Sequence, residues 1–192
     1  IGPKKRMPVP LNDLQRVQQQ CWHADDELRW IVAAISDTGC RMAEIVGLSK
    51  TDVRLDGDIP HISIRPRPWR RLKTVSSERD IPLVGSALWG ITRAYQSTNS
   101  EMLFPRYNDG VSTNSNSASA ALSKWLKQQT NPDCTMHSFR HSFRDRLRAV
   151  ECPIELTDAL GGWSTDGIGA AYGQGYSLQL KQKWLSATVL KP

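Results

Sequence analysis

Apolar side chains recur along this chain at helical spacing over most of its length and alternate with polar ones in only one short region. From Leu11, the positions Leu14, Val17 and Cys21 share one helix face, and Leu28, Ile31, Val32 and Ile35 repeat the pattern more strongly. Two successive helices are predicted. Asp37-Thr38-Gly39 breaks the periodicity and Met42, Ile45 and Val46 resume it, so Arg41 stands at the start of a short helix, with Ser49 and Asp52 marking the next turn. His61-Ile62-Ser63-Ile64-Arg65 then alternates with period two, and Arg79-Asp80-Ile81-Pro82-Leu83 reads as a second short strand. The two predict a small antiparallel sheet with Lys73 on or near its connecting turn.

Helical spacing returns in the second half. An Asn- and Ser-rich loop over 108–117 leads into Ala118, Ala121, Leu122, Trp125 and Leu126, a stripe that ends before Asn131-Pro132. Phe139, Phe143, Leu147 and Val150 define the next helix, Pro153 opens another, and Gly161-Gly162 closes it, which puts Trp163 immediately after a helix end. Leu178 to Leu190 predicts a terminal helix that docks either in cis or on a neighbouring molecule. No internal repeat is visible. The elements sum to an α+β domain, mainly helical, with a small antiparallel sheet.

Composition narrows this picture. At 192 residues and 39% hydrophobic content the chain can bury one substantial core. No apolar run approaches the ~18 to 20 residues that span a bilayer, so a soluble, cytoplasmic protein with no membrane partner is expected. Cys21, Cys40, Cys134 and Cys152 are scattered and form no CxxC pair, which fits a reducing compartment. The net charge of +6 attracts polyanions without identifying one. Residues 1–10, basic and proline-rich, read as an extended tether, with the folded domain expected over 11–192.

The most informative stretch for chemistry is Thr135-Met136-His137-Ser138-Phe139-Arg140-His141, because His137 and Arg140 are three apart and share one face at a helix start. Backbone N–H groups there and an arginine fork suit a phosphodiester, and an imidazole moves protons near neutral pH. Two other readings stand beside this one. Arg140, Arg144 and Arg148 could form a solvated basic face, and Cys134, His137 and His141, with Cys152, have spacing compatible with a metal. Elsewhere Arg41 precedes Glu44 by three residues, an arrangement that either orients the guanidinium or is an ordinary surface pair. Lys73 lies in a polar, basic loop from which its ammonium could reach a leaving oxygen, though a solvated hairpin reads the same way. Tyr172 and Tyr176 lie in a glycine-rich segment that would let a tyrosine nucleophile move.

Taken in order, these stretches carry more information than any does alone. Thr38-Gly39-Cys40-Arg41-Met42-Ala43-Glu44, then Lys73 to Leu83, then His137-Ser138-Phe139-Arg140-His141, then Leu160-Gly161-Gly162-Trp163 and Tyr172 together resemble the tyrosine recombinase (phage integrase) family from end to end. The resemblance implies the catalytic-domain fold of that family. It implies that Arg41 and Arg140 grip a scissile phosphate, that His137 handles protons, and that Lys73 is the general acid toward the leaving 5′ oxygen. Trp163 stands where most members carry histidine, and its indole N–H donates a hydrogen bond but exchanges no proton at neutral pH. Tyr172, nine residues further on, is the implied nucleophile, forming a 3′-phosphotyrosine without metal or other cofactor.

Further expectations come from the same resemblance. The activity is site-specific DNA recombination or integration for a phage or other mobile element, in a bacterial or phage-encoded, nucleoid-associated protein. The partners are double-stranded DNA, three further copies in a tetramer on paired sites, and accessory DNA-bending or directionality proteins. Residues 1–10 become the linker from an N-terminal core-binding domain, and segment 177–192 a candidate for docking on the next protomer. The alternatives are a DNA-binding module without catalysis, which predicts steep salt dependence and no covalent adduct, and a type IB topoisomerase-like activity.

Overall fold

The computed structural model describes residues 7–164 and 175–191. Helix α2 (Glu27–Thr38) runs through the centre of the fold, and every residue from Ile31 to Thr38 is buried. Asp26 caps its N-terminus by accepting a hydrogen bond from the Arg29 N–H at 3.0 Å, and Gly39 ends it in the left-handed region at φ 66°. Around α2 pack α1 (Leu11–Ala24), the short α3 (Met42–Val46), α4 (Gly85–Ser97) and α6 (Ser138–Ala149). The predicted stripes face inward: Leu14, Val17 and Cys21 on α1, and Phe139, Phe143 and Leu147 on α6, are fully buried.

Helix α4 has no counterpart among the predicted elements. It meets α2 through small residues, Ser86, Ala87, Gly90 and Ala94, with Ile91, and a methyl group on Gly90 would lie 2.7 Å from the Trp30 carbonyl oxygen. Close approach of two helix backbones, rather than a broad apolar stripe, is what buries it.

The sheet is antiparallel in the order β1 (Val53–Arg54), β2 (His61–Ile64), β3 (Arg79–Pro82). Strands β2 and β3 pair Ile62 with Ile81 and Ile64 with Arg79, turning both isoleucines of β2 into the core as its alternation requires. β1 is a third strand that the sequence pattern does not announce, since two residues cannot show a period. The 65–78 connection carries Lys73 as expected and is held to the body of the domain by Trp69, whose indole donates to the Gly47 carbonyl at 2.8 Å.

Helices α5 (Ser115–Gln129) and α7 (Ile154–Gly161) complete the fold with α8 (Leu178–Thr188), which packs on β3 and α6 of its own chain with Leu185 fully buried. Arg146 of α6 secures this corner. Its guanidinium, 5% exposed, donates to Asp37 Oδ1 at 2.6 Å, to the Ser36 carbonyl at 2.7 Å and to the Thr188 carbonyl at 3.0 Å, so one buried cation joins α2, α6 and the end of α8. The chain ahead of α1 is anchored too: Val9 is buried and exchanges hydrogen bonds with Ser142 Oγ at 2.6 and 2.9 Å.

Candidate active site

Arg41 and Arg140, far apart in sequence, are brought together where the α2–α3 turn meets the start of α6. Arg41 is the N-cap of α3, and its backbone N–H donates to Glu44 Oε1 at 2.8 Å while its Nη1 lies 3.4 Å from Glu44 Oε2 and 3.2 Å from Ser77 Oγ. The Arg41–Glu44 spacing is therefore a positioning contact and not a surface pair, since the glutamate side chain is 4% exposed.

Arg140 is held differently. Its Nη1 donates to the Gly39 carbonyl at 2.7 Å and the Gly161 carbonyl at 2.9 Å, which are the residues at the ends of α2 and α7. Helix C-termini carry partial negative charge and unpaired carbonyls, so they fix a guanidinium without neutralising it. Burial pushes the Arg140 pKa down to about 10, and repulsion from Arg41 adds to the shift. Among the described residues the side-chain hydrogen bonds of both arginines leave from Nη1, which leaves Nη2 of each unused; Arg41 Nε is buried without a partner. Two cations held close together with unused donors form a site for an anion.

Glu44 is the counterweight. Burial alone would raise its pKa, but two hydrogen bonds and the charge of Arg79, with the help of Arg41, hold the carboxyl below its ordinary value. Arg79 Nη1 lies 2.9 Å from Glu44 Oε2 and Arg79 Nη2 lies 3.1 Å from Oε1, a bidentate pair in which both side chains are at most 4% exposed. Its Nε donates to the Leu160 carbonyl at 2.9 Å, so β3, α3 and the end of α7 are tied at one point. The sequence pattern marks Arg79 only as a strand residue. The available signal was its inward position in the alternating β3, where Arg79 and Ile81 share the buried face.

His137 is the N-cap residue of α6, half-buried, with its ring 5.5 Å from that of His141 in an edge-on arrangement. It lines a cleft of about 470 Å³ with Arg41, Met42, Thr135 and the α5 residues Ser119 and Ser123. Trp163 follows the left-handed Gly162 that ends α7, and its backbone N–H donates to the Asp158 carbonyl at 2.9 Å. The Arg140 guanidinium carbon lies 4.6 Å from the Trp163 ring centroid. Lys73 is exposed in the 65–78 connection. The residues just after it are fastened to the site, because Ser77 Oγ accepts from Arg41 and Ser76 Oγ donates to the Gly162 carbonyl at 3.2 Å. Tyr172 lies outside the described residues. Tyr176 is half-buried and donates its hydroxyl to Glu155 Oε2 at 3.1 Å.

The competing readings of α6 resolve in part. The basic face is not uniformly solvated, because Arg140 is buried, whereas the Arg148 side chain is 74% exposed. Cys134 Sγ lies 3.7 Å from the Pro8 carbonyl, and among the described residues no three His, Cys, Asp or Glu side chains assemble as a metal site. Nor is any described helix long and apolar enough to cross a membrane.

The sequence profile of the phage integrase family matches residues 11–176. No curated protein sequence gives a significant match. Among solved structures, the Tn1549 transposon integrase in complex with transposon right end DNA is similar at a TM-score of 0.64 with 15% identity, covering 95% of this chain and 62% of that one. XerA recombinase is similar at 0.64 with 17% identity over 99% of this chain and 62% of its own. A lambda integrase from a tetramer bound to a Holliday junction follows at 0.61 with 17% identity, over 89% and 48%. This chain thus spans less than two thirds of the length of each of these proteins.

Proposed function

The chain belongs to the phage integrase family and has the fold of its tyrosine recombinases, and from that premise we propose that it cuts and rejoins DNA at specific sites through a 3′-phosphotyrosine bond to Tyr172. The observation that carries the proposal is the pair of half-buried Arg41 and buried Arg140, near enough that the charge of Arg41 weighs on Arg140, with the Arg140 guanidinium held by two backbone carbonyls and donors of both left unused. Such a pair is matched to the non-bridging oxygens of a phosphodiester, whose negative charge grows in the pentacovalent transition state.

In the proposed reaction the Tyr172 hydroxyl gives up its proton and its oxygen attacks phosphorus. The bond to the 5′ oxygen breaks, and that oxygen takes a proton from Lys73, which sits on the connection fastened to Arg41 through Ser77. The new phosphotyrosine keeps the energy of the broken bond, so attack by a 5′-hydroxyl of a second strand reverses the step and seals the exchange. His137, on the cleft wall beside Arg41, is placed to handle a proton during this traffic. The choice of Tyr172 over Tyr176 is supported by the Tyr176 hydroxyl being committed to Glu155. Burial and that carboxylate both raise the Tyr176 pKa, which disfavours the phenolate.

Double-stranded DNA is the proposed partner, in a tetramer on paired sites as for the lambda integrase bound to a Holliday junction. The test is to incubate the chain with nicked duplexes of randomised core sequence and recover DNA that stays attached after denaturation. We expect an adduct that is lost in Tyr172→Phe and kept in Tyr176→Phe. Salt-sensitive DNA binding with no adduct from any sequence would instead make the chain a binding module without catalysis.

A further inference from the structure

Two guanidiniums share the Trp163 ring. Arg140 lies 4.6 Å from its centroid and Arg144, one helical turn further along α6, lies 4.8 Å from it. The ring is folded back over Gly161, where a methyl group would come within 1.9 Å of its six-membered edge, and the Gly161 carbonyl accepts one of the hydrogen bonds that fix Arg140. Arg144 also lies 3.5 Å from Asp158 Oδ1, and the Asp158 backbone carbonyl accepts from the Trp163 backbone N–H. Asp158 is 6% exposed on the side-chain scale while Arg144 is 40% exposed. A half-exposed cation is therefore drawn down onto the ring by a buried carboxylate. Arg148, the next arginine on that face, is 74% exposed and pairs with Asp145 instead.

We propose that Arg144 is a positioning residue for Arg140: with Asp158 it clamps the Trp163 indole so that the ring face holds the Arg140 guanidinium against the phosphate site. Cation–π attraction acts through the ring quadrupole, so what position 163 contributes is an aromatic face and not a transferable proton. The clamp also answers an electrostatic problem. Arg140 has Arg41 and Arg79 as like-charged neighbours, and nothing in its two carbonyl contacts stops the guanidinium from swinging about Nη1. A ring packed on its face removes that freedom, and Arg144 with Asp158 removes the freedom of the ring.

The catalytic consequence rests on the recombinase reading, whereas the geometric core of the proposal does not, so the two are tested separately. Arginine-labelled protein, with the Arg140 signals assigned from Arg140→Lys, reads the geometry by NMR through the upfield ring-current shift of the guanidinium protons. The shift should vanish in Trp163→Ala, persist in Trp163→Phe, fall by about half or more in Arg144→Gln and return in Arg144→Lys. An Arg140 shift unchanged by Arg144→Gln overturns the proposal whether or not the chain cuts DNA. If the wild-type chain forms adducts, single-turnover cleavage at saturating DNA should slow about tenfold in Arg144→Gln and add nothing further in a Trp163→Ala background. Equal slowing in both backgrounds would make Arg144 an independent DNA contact and refute the clamp. A wild-type chain that forms no adduct while showing the expected shifts would defeat the recombinase reading and leave the clamp standing.

Discussion

Glu44→Gln is the substitution that most directly probes the electrostatics of the site. The change keeps the shape of the side chain but exchanges an acceptor-only carboxylate for an amide whose NH₂ group must face a guanidinium. Arg79 donates to both carboxylate oxygens, at 2.9 and 3.1 Å, and is itself about 3% exposed in its side chain, so losing the anion leaves a buried cation with neutral partners alone. Breaking one partner of such a pair costs about 3–5 kcal/mol. For a domain of this size each kcal/mol lowers Tm by roughly 2–4 °C, so thermal unfolding at pH 7 should shift down by roughly 6–20 °C. The folded variant also loses a carboxylate that offsets Arg41, Arg79 and Arg140. Its affinity for a phosphodiester, corrected for the folded fraction, should hold or rise.

The pH dependence follows from the same group. The Glu44 carboxyl is lowered in the folded state, so its contribution is fully present above its unfolded value near 4.5 and is lost as pH falls through the lower folded value. Wild type should therefore lose stability below about pH 4.5 in a way that the variant does not. Urea unfolding at pH 7 and pH 3.5 checks both statements. A loss under about 1 kcal/mol at pH 7 would mean that water reaches Arg79 and that the buried-pair reasoning is wrong.

Two further substitutions test how the site is mounted. Arg146→Ala should destabilise the chain by about 3–5 kcal/mol in urea unfolding, and by much less when combined with Asp37→Asn, because the cost comes from stranding a buried carboxylate. Gly39→Ala, at φ 66° with its new methyl 2.3 Å from the Phe143 ring, should cost at least about 2 kcal/mol, with the Arg140 guanidinium signals moving because the carbonyl that holds them is displaced.

Sequence pattern was sufficient for those parts of the molecule whose cause is local. The stripes of α1, α2, α5 and α6 are legible because a helix buries residues three and four apart, and the Gly161-Gly162 stop is legible because a left-handed residue is needed there. The linear order of Arg41, Lys73, His137, Arg140, Trp163 and Tyr172 also carried the family, since spacing and residue type are properties of the chain alone. α4 escaped because its interface is made by small residues and Gly90, which give no strong apolar period.

What tertiary structure decided is which groups meet and with what charge left over. Nothing local tells that Arg140 would be buried on the carbonyls of Gly39 and Gly161, that Arg79 would claim both oxygens of Glu44, or that Ser77 would fasten the Lys73 connection to Arg41. The partners in these contacts come from different elements and follow no period, and each is a single donor meeting a single acceptor. Such pairings are set by the packing of α2, α3, β3, α6 and α7 as whole bodies. The same packing gives Arg140 its low pKa and the site its unneutralised positive charge, properties that the count of arginines in the sequence does not contain.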